Sequence, residues 1–174
     1  MNNTHKILAE KKFLVIGGAG FIGSHVVKEL LKHSVSEILV FDDFSRGKIE
    51  YLKNSINDTR VRIYPNGGDI RQIDLLNDAM KGMDYVIHLA AMWLLHCKDY
   101  PRTAFKVNIE GTFNVLEAIR HSNVEHTLIA STSSIYGSNK NMPYDENQKT
   151  DNQVSFYAAT KKSCEVISHS YSHI

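Results

Sequence analysis

Near the N-terminus, a glycine-rich segment separates two stretches of different periodicity. Residues 13–16 are all apolar, as in a strand that is buried on both faces of a parallel sheet. Residues 21–32 have their apolar side chains at helical spacing, so that one face is apolar. That face carries Ile22, Val26, Val27, Leu30 and Leu31. The pattern predicts a strand, a tight turn and a helix in direct succession.

The same alternation continues along the chain. Further strands are predicted at residues 38–41, 61–64, 84–89 and 127–130, and helices at 70–81, 102–121 and 154–171, with a loop at 137–152. In the long central helix, the residues predicted to face inward are Phe105, Ile109, Phe113, Leu116 and Ile119. Strands that alternate with helices favour an α/β fold. We expect a doubly wound parallel sheet of the Rossmann type, with about five strands in the order 3-2-1-4-5.

Length and composition indicate one ordinary globular domain. The 174 residues are 43% hydrophobic and 22% charged, with a formal net charge of +1, so a nucleic-acid partner is not expected. No apolar run approaches the roughly 20 residues of a membrane span, and residues 1–12 do not resemble a signal peptide. Cys97 and Cys164 are not in metal or redox spacing, and the histidines have no ligand pattern. We expect a cytoplasmic protein without metal or membrane contact.

The glycine segment has the spacing of a dinucleotide-binding turn. Gly17, Gly20 and Gly23 fit one form of the motif, and Gly18, Gly20 and Gly23 fit another. Glycine permits a tight turn, a close approach of backbone to pyrophosphate, and close packing of helix on strand. The following helix is predicted to begin at Phe21, with Ile22 next to it. The N-terminus of a helix attracts phosphate, so we expect both residues to lie beside the cofactor. The alternative is a glycine-rich turn in an unrelated α/β protein.

An acidic residue follows the second predicted strand. A carboxylate at Asp42 can accept hydrogen bonds from the adenosine ribose hydroxyls. The same charge repels a 2′-phosphate, so NAD is favoured over NADP. NADP stays an alternative because of Arg46, since an arginine at this position can bind the 2′-phosphate of that cofactor. The simpler interpretation is that Arg46 is a solvent-exposed loop residue.

A tyrosine and a lysine lie four residues apart in the last predicted helix. Tyr157 and Lys161 therefore share one helix face. A free tyrosine has a pKa of about 10, and a nearby ammonium stabilises the phenolate. Tyr157 can then remove a proton from a substrate hydroxyl while hydride moves to a nicotinamide, and Lys161 can also hold the nicotinamide ribose. The pair alone is weak evidence for catalysis, because many solvent-exposed helices contain a tyrosine and a lysine at this spacing. The evidence becomes more specific when the pair follows a predicted Rossmann fold.

Hydroxyl groups cluster after the fifth predicted strand. Residues 131–137 include Ser131, Thr132, Ser133 and Ser134, and any of these could orient a sugar hydroxyl near the tyrosine. The alternative is that these hydroxyl groups only form hydrogen bonds within the turn that follows the strand. We favour the functional interpretation because ligands of such sheets lie beyond the carboxyl ends of the strands.

Taken together, these motifs resemble a known family. The glycine loop, Asp42 and residues 68–70, 88–91, 108–112, 131–137 and 157–161 occur in order over nearly the whole chain. They resemble the extended short-chain dehydrogenases/reductases that act on nucleotide sugars. The resemblance implies that Asp69 and Ile70 flank the adenine, and that Leu89, Ala90 and Ala91 line the cofactor. It also implies that Asn108 braces the active-site region next to the cofactor.

Within that family, the resemblance implies 4-epimerisation. It places Thr132 at the catalytic hydroxyl position. Ser133 and Ser134 fall where the dehydratases carry an acidic pair, and we expect them to contact substrate. Residues 157–162 and 170–173 resemble UDP-glucuronate 4-epimerases, whereas residues 92–97 do not, so the sugar, a UDP-hexose or UDP-hexuronate, stays open.

The chain ends soon after Lys161, whereas members of the family usually continue much further. We therefore expect residues 1–174 to form the NAD-binding Rossmann domain without a substrate-binding domain. An uncovered apolar patch would promote self-association, for example as a homodimer. Two alternatives remain open: a non-catalytic dinucleotide-binding or interaction module, and a nucleotide-sugar dehydratase or reductase.

Overall fold

A computed structural model describes residues 7–174. Its sheet has five parallel strands in the order β3-β2-β1-β4-β5, which confirms the predicted topology. The strands are β1 (Lys12–Ile16), β2 (Glu37–Phe41), β3 (Val61–Ile63), β4 (Tyr85–His88) and β5 (His126–Ile129).

Six α-helices are described, and one of them continues through a π-helical segment. They are α1 (Phe21–Leu30), α2 (Ile73–Ala79), α3 (Leu94–Asp99), α4 (Pro101–Ala104), α5 (Gly111–Arg120) and α6 (Phe156–Tyr171). The π-helical segment Phe105–Glu110 connects α4 to α5. Ile49–Leu52 and Ser133–Tyr136 are short 3₁₀ helices.

The described chain divides into two compact units. The first contains residues 7–90 and 117–130 and holds the sheet, and the second contains residues 91–116 and 131–174. In the first unit, β1 lies between β2 and β4, and its residues Leu14, Val15 and Ile16 are fully buried. The apolar run at residues 13–16 is thus the central strand of the sheet, as expected for a parallel strand that is buried on both faces.

In the second unit, α6 begins two residues later than the apolar pattern suggests because of a cap. Ser155 has an extended backbone, and its Oγ accepts a hydrogen bond from the Ala158 N–H at 3.1 Å. A serine in this position satisfies one of the otherwise free amide groups of the first turn. The helix therefore starts at Phe156, two residues after the predicted start at Val154.

The predicted inward face of the long helix is only partly correct. Leu116 is buried, but Phe105 and Phe113 are 50% and 43% exposed. The buried positions lie one residue earlier, at Ala104, Asn108, Thr112 and Val115. Two of these residues are polar, and a pattern based on apolar residues assigns polar residues to the outer face.

Other boundaries also differ from the sequence prediction. Helix α2 begins at Ile73, three residues after the predicted start, and Ile22 in α1 is 64% exposed although it was placed on the inward face. The sequence does not predict helix α3, because its apolar residues Leu94 and Leu95 are adjacent and form no helical periodicity. In the structure both side chains are exposed. His88 is buried at the end of β4. Within residues 7–174, every helix is too short or too polar to cross a membrane.

Candidate functional site

The glycine loop, residues 17–23, joins β1 to α1 in the first unit. Gly17 has a φ of +81°, and a Cβ there would lie 2.7 Å from the Ala90 amide nitrogen. A Cβ on Gly23 would collide with the Gly17 carbonyl oxygen. Both positions need glycine to form the turn and to pack helix α1 against it.

Gly20 differs from these two glycines. Its backbone is extended, with φ at −72° and ψ at 174°, and a Cβ would meet only the Gly17 carbonyl oxygen, at 3.2 Å. The fold itself therefore places a weaker demand for glycine here than at Gly17 or Gly23. An uncovered backbone at this point is what a pyrophosphate requires for close approach.

Helix α1 begins at Phe21 after the N-cap residue Gly20, which offers no side-chain cap, and its first turn contains no acidic residue. No carboxylate within that first turn offsets the partial positive charge of the helix N-terminus. Phe21 and Ile22 are 74% and 64% exposed beside the loop. This arrangement of loop and helix suits a phosphate group.

Asp42 is buried at the end of β2, where it joins two loops. Its Oδ2 accepts a hydrogen bond from the Ala19 N–H, and its Oδ1 accepts one from the Phe44 N–H, each at 2.9 Å. Burial raises the pKa of Asp42, and these backbone donors oppose the rise. A carboxylate has about four acceptor positions, so acceptor capacity remains for ribose hydroxyls.

Two other glycines pack against Asp42. A Cβ on Gly47 would lie 2.6 Å from Asp42 Oδ1, and a Cβ on Gly68 would collide with the Asp42 backbone. Gly68 precedes Asp69, so this close packing places Asp69 and Ile70 beside the end of β2. The sequence did not single out Gly47; its only signal is its place in the loop after β2.

Asp69 and Ile70 are already engaged by the protein. Arg71 holds the Asp69 carboxylate through Nε–Oδ1 at 2.9 Å and Nη2–Oδ2 at 2.7 Å, and this hydrogen bonding lowers the pKa of Asp69. Ile70 is 4% exposed and belongs to the interior of the first unit. Leu89 and Ala90 follow β4 half-buried, and the Leu89 N–H donates to the Ile16 carbonyl at 2.8 Å.

The tyrosine and lysine lie in the second unit, on the first two turns of α6. Tyr157 is half-buried and Lys161 is 5% exposed. Burial lowers the pKa of Lys161 below its ordinary value. The neighbouring Lys162 pairs with Glu165 at 3.1 Å, whereas no ion pair among residues 7–174 includes Lys161.

Thr132 caps the short 3₁₀ helix that follows β5. Its Oγ1 accepts a hydrogen bond from the Ser134 N–H at 3.2 Å and donates to Ser134 Oγ at 3.3 Å. Ser133 is exposed and Ser134 is half-buried. The hydroxyl cluster therefore has a local structural role in the turn, and a threonine hydroxyl retains a further acceptor position.

Asn108 lies in the π-helical segment and is 1% exposed. Its Oδ1 accepts from the Met92 N–H at 2.7 Å, and its Nδ2 donates to the Met92 carbonyl at 3.1 Å and to Thr160 Oγ1 at 3.0 Å. Half-buried Ala91 directly precedes this anchored loop. The Asn108 amide thus joins the segment after β4 to α6. Sequence reasoning missed Thr160, because a threonine inside a helix has no distinctive pattern.

The structure therefore groups the predicted residues by unit. The glycine loop, Asp42, Asp69, Ile70, Leu89 and Ala90 belong to the first unit, and Ala91, Asn108, Thr132, Ser133, Ser134, Tyr157 and Lys161 to the second. Within residues 7–174, no group of three or more histidine, cysteine or acidic side chains is arranged to hold a metal ion.

Comparison with known proteins places this geometry in a family. A family model described as GDP-mannose 4,6 dehydratase matches residues 14–174. The chain is 35% identical over 167 residues to UDP-glucuronate 4-epimerase 4 of Arabidopsis thaliana, covering 92% of this chain and 38% of that protein. The chain spans about half or less of the length of the curated relatives it matches.

Two solved structures are close to this one. A UDP-N-acetylglucosamine 4-epimerase from Methanobrevibacter ruminantium M1 has a TM-score of 0.86 at 33% identity, covering 95% of this chain and 51% of that one. A dTDP-glucose 4,6-dehydratase from Streptomyces venezuelae, with NAD bound, also has a TM-score of 0.86, at 30% identity, covering 93% and 52%. The chain therefore belongs to the family of extended short-chain dehydrogenases/reductases that the GDP-mannose 4,6-dehydratase model describes, which includes nucleotide-sugar epimerases and dehydratases.

Proposed function

We propose that this protein catalyses the NAD-dependent 4-epimerisation of a nucleotide sugar, a UDP-hexose or UDP-hexuronate, through a transient 4-keto sugar. The observation that carries the proposal is the buried Lys161 ammonium, one turn after Tyr157, without an ion-pair partner among residues 7–174. A buried cation is costly unless something compensates it. In this proposal the compensation comes during the reaction, when Tyr157, one helical turn away, takes part as the base.

The side chains of α6 then handle the proton. Tyr157 acts as the base that takes the proton of the sugar 4-hydroxyl, and Lys161 supports it electrostatically during that step. Thr132 would turn its hydroxyl hydrogen from Ser134 Oγ to the oxygen of the sugar 4-hydroxyl and so orient it. NAD, when bound, supplies a reversible acceptor for the hydride of carbon 4. Tyr157 returns its proton to the oxygen after the keto sugar has turned over, and the product is the 4-epimer.

The first unit suits NAD as the cofactor. Gly20 leaves its backbone uncovered, and α1 presents an uncapped N-terminus, so together they would hold the pyrophosphate. Asp42 would accept hydrogen bonds from the adenosine ribose, and its charge disfavours the 2′-phosphate of NADP. The dehydratase from Streptomyces venezuelae, which has the same fold, has NAD bound.

Epimerisation is preferred to dehydration because of the side chains that follow Thr132. Ser133 and Ser134 are hydroxyl residues and offer no carboxylate for the elimination of water. Dehydration is a second candidate, since the matching family model and one close structure are named as 4,6-dehydratases.

A third candidate is dinucleotide binding without turnover. The predicted cofactor residues from Gly17 to Ala90 belong to the first unit, whereas Tyr157 and Lys161 belong to the second. Binding and catalysis can therefore be tested separately. Denaturing the purified protein and identifying released nucleotide by mass spectrometry tests binding alone. Release of near-stoichiometric NAD or NADH is expected; absence of nucleotide, with no binding of added NAD, would contradict the assignment.

Turnover is tested with UDP-glucuronate, UDP-glucose and UDP-N-acetylglucosamine. Tyr157→Phe should lower kcat by ~10²–10⁴-fold, because the base is lost. Tyr51→Phe is the matched control, as Tyr51 is an exposed tyrosine of the first unit and should keep wild-type kcat. Wild-type turnover in Tyr157→Phe would rule out the mechanism.

Product analysis in deuterated water separates epimerase from dehydratase. A 4-epimer that keeps its original hydrogen at carbon 4 is expected, because that hydrogen leaves and returns as hydride. A stable 4-keto-6-deoxy sugar carrying solvent deuterium would assign the chain to the dehydratases instead.

A further inference from the structure

Two side chains of α6 attach that helix to the π-helical segment Phe105–Glu110, and both bind Asn108. Thr160 Oγ1 accepts from Asn108 Nδ2 at 3.0 Å, and Cys164 Sγ donates to the Asn108 carbonyl oxygen at 3.0 Å. The two residues are one turn apart, so they lie on the same face of α6. The helix is held at two points along its length, which restricts both its rotation and its sliding.

These attachment points alternate with the proposed catalytic residues. Tyr157, Thr160, Lys161 and Cys164 are spaced at i, i+3, i+4 and i+7, which is one continuous stripe of a helix. The Thr160 hydroxyl donates to the Tyr157 carbonyl at 2.7 Å, and Cys164 lies three residues after Lys161 on the same helix. A substitution at Thr160 or Cys164 should therefore shift the positions of Tyr157 and Lys161.

Cys164 is held firmly in this position. It is 2% exposed, and its sulfur also has a hydrogen bond with the Thr112 side chain. Burial raises the pKa of the Cys164 thiol, so the sulfur keeps its proton and remains a donor. The acceptor, the Asn108 carbonyl, belongs to the segment whose wider π-helical turn departs from the regular α-helical ladder.

Cys97 provides an internal comparison. It is also a buried free cysteine, at 0% exposed, and it also contacts Asn108, with Sγ 3.6 Å from Nδ2. Its thiol donates to the Met92 carbonyl at 3.2 Å, and within residues 7–174 none of its hydrogen bonds reaches α6. The two cysteines thus match in burial and size but differ in whether they hold α6.

We propose that Cys164 is a positioning residue: its thiol, together with Thr160, clamps α6 to Asn108 and so sets the placement of Lys161 relative to Tyr157. The proposal rests on the proposed function for its effect on turnover. Its structural part, the burial and placement of Lys161, can be measured without turnover.

The structural test is competitive acylation of lysines in the full chain, read by peptide mass spectrometry. Lys162 is the internal reference, because it is the half-exposed neighbour of Lys161 on the same helix. Cys164→Ala should raise the labelling of Lys161 relative to Lys162 by about fivefold, as expected for loss of one hydrogen bond that holds it. Cys164→Ser keeps a donor and should restore the wild-type ratio, and Cys97→Ala should leave it unchanged.

The kinetic test uses the same variants. Cys164→Ala should lower kcat by about fivefold with little change in KM, while Cys164→Ser and Cys97→Ala should remain near wild type. An unchanged labelling ratio in Cys164→Ala, or an equal rise in Cys97→Ala, would overturn the proposal and leave Cys164 as simple packing. If the wild-type protein shows no turnover but the variants give the expected labelling ratios, the proposed function is refuted and the positioning role of Cys164 still stands.

Discussion

At the scale of single residues, three of the four glycines in the loop, Gly17, Gly20 and Gly23, meet different demands. Gly17 and Gly23 are required by the fold, through a positive φ and a close approach to the Gly17 carbonyl. Gly20 has an ordinary backbone conformation and a tight but isolated contact. The sequence motif treats the three alike, so only the structure separates the two glycines that the turn requires from Gly20, on which the fold makes a weaker demand.

This difference predicts opposite behaviour for two alanine variants. Gly20→Ala should change the free energy of unfolding by about 1 kcal/mol or less, yet weaken NAD binding ~10-fold or more, because the methyl group occupies the pyrophosphate approach. Gly23→Ala should destabilise the protein by ~2 kcal/mol or more, since it must displace backbone. Urea unfolding and calorimetric titration with NAD measure both. Equal NAD affinity in Gly20→Ala and wild type would count against the phosphate site.

Lys161 gives a prediction about pH. Its folded-state pKa lies below the unfolded value of 10.5, so between these two values the unfolded state binds more protons. Stability of the wild type should therefore rise as pH increases through that window. Lys161→Met should be more stable than wild type at neutral pH, and the difference should vanish above pH 10.5.

The matched control is Lys162→Met on the same helix. Lys162 is half-exposed and paired with Glu165, so its removal should change stability little at any pH. Denaturant unfolding from pH 7 to 11 provides the measurement. A Lys161→Met variant that is less stable than wild type at neutral pH would mean that the buried ammonium is compensated in the free protein.

At the scale of elements, the C-terminal end of α1 is closed by an arginine from the segment before β3. Arg60 Nη1 donates to the His33 carbonyl at 2.9 Å and Nη2 donates to the Leu31 carbonyl at 3.1 Å. Asp58 holds the same guanidinium at 2.8 Å, and this hydrogen bonding lowers the pKa of Asp58 to about 2. A cation at this end also complements the helix dipole.

Replacing this arginine should therefore weaken the first unit. Arg60→Leu is expected to lower the free energy of unfolding by about 1 kcal/mol, whereas Arg62→Leu, an exposed residue with one surface ion pair, should have almost no effect. Because the folded pKa of Asp58 is depressed, its contribution is present above the unfolded pKa of 3.8 and is lost as pH falls towards 2. Urea unfolding at pH 7 and pH 2.5 checks both points; an equal loss in the two variants would contradict the capping role.

At the scale of the whole molecule, the second unit exposes apolar side chains on its helices. Phe105, Phe113 and Val166 are 50%, 43% and 56% exposed, and Phe105 and Val166 border a cavity of about 530 Å³. Exposed apolar patches promote association between copies. We therefore expect concentration-dependent self-association, and the homodimer stays a prediction.

Light scattering after size exclusion tests this expectation. Val166→Glu should shift the protein towards the monomer, because it places a charge within the patch. Ile49→Glu, at an exposed apolar residue of the first unit, should leave the distribution unchanged. A wild-type protein that is monomeric across the accessible concentration range would contradict the prediction.

The sequence by itself determined the five parallel strands, their order and the positions of the glycine loop and Tyr157. These features are encoded locally, in apolar runs, turn residues and helical spacing, so they can be recognised without knowing what packs against them. Strand order followed from the alternation of elements and the handedness of crossovers. The family resemblance was equally available, since its motifs are short and occur in order.

Only the tertiary structure decided which side chains are buried and what they bind. Asn108 and Thr112 occupy the inner face of their helix in place of Phe105 and Phe113, and Cys164 binds a carbonyl 56 residues earlier in the chain. A polar group is buried where a partner satisfies its hydrogen bonds, and that partner comes from a distant segment. Periodicity records only the polarity of each residue along the chain, so it cannot show where such a partner lies.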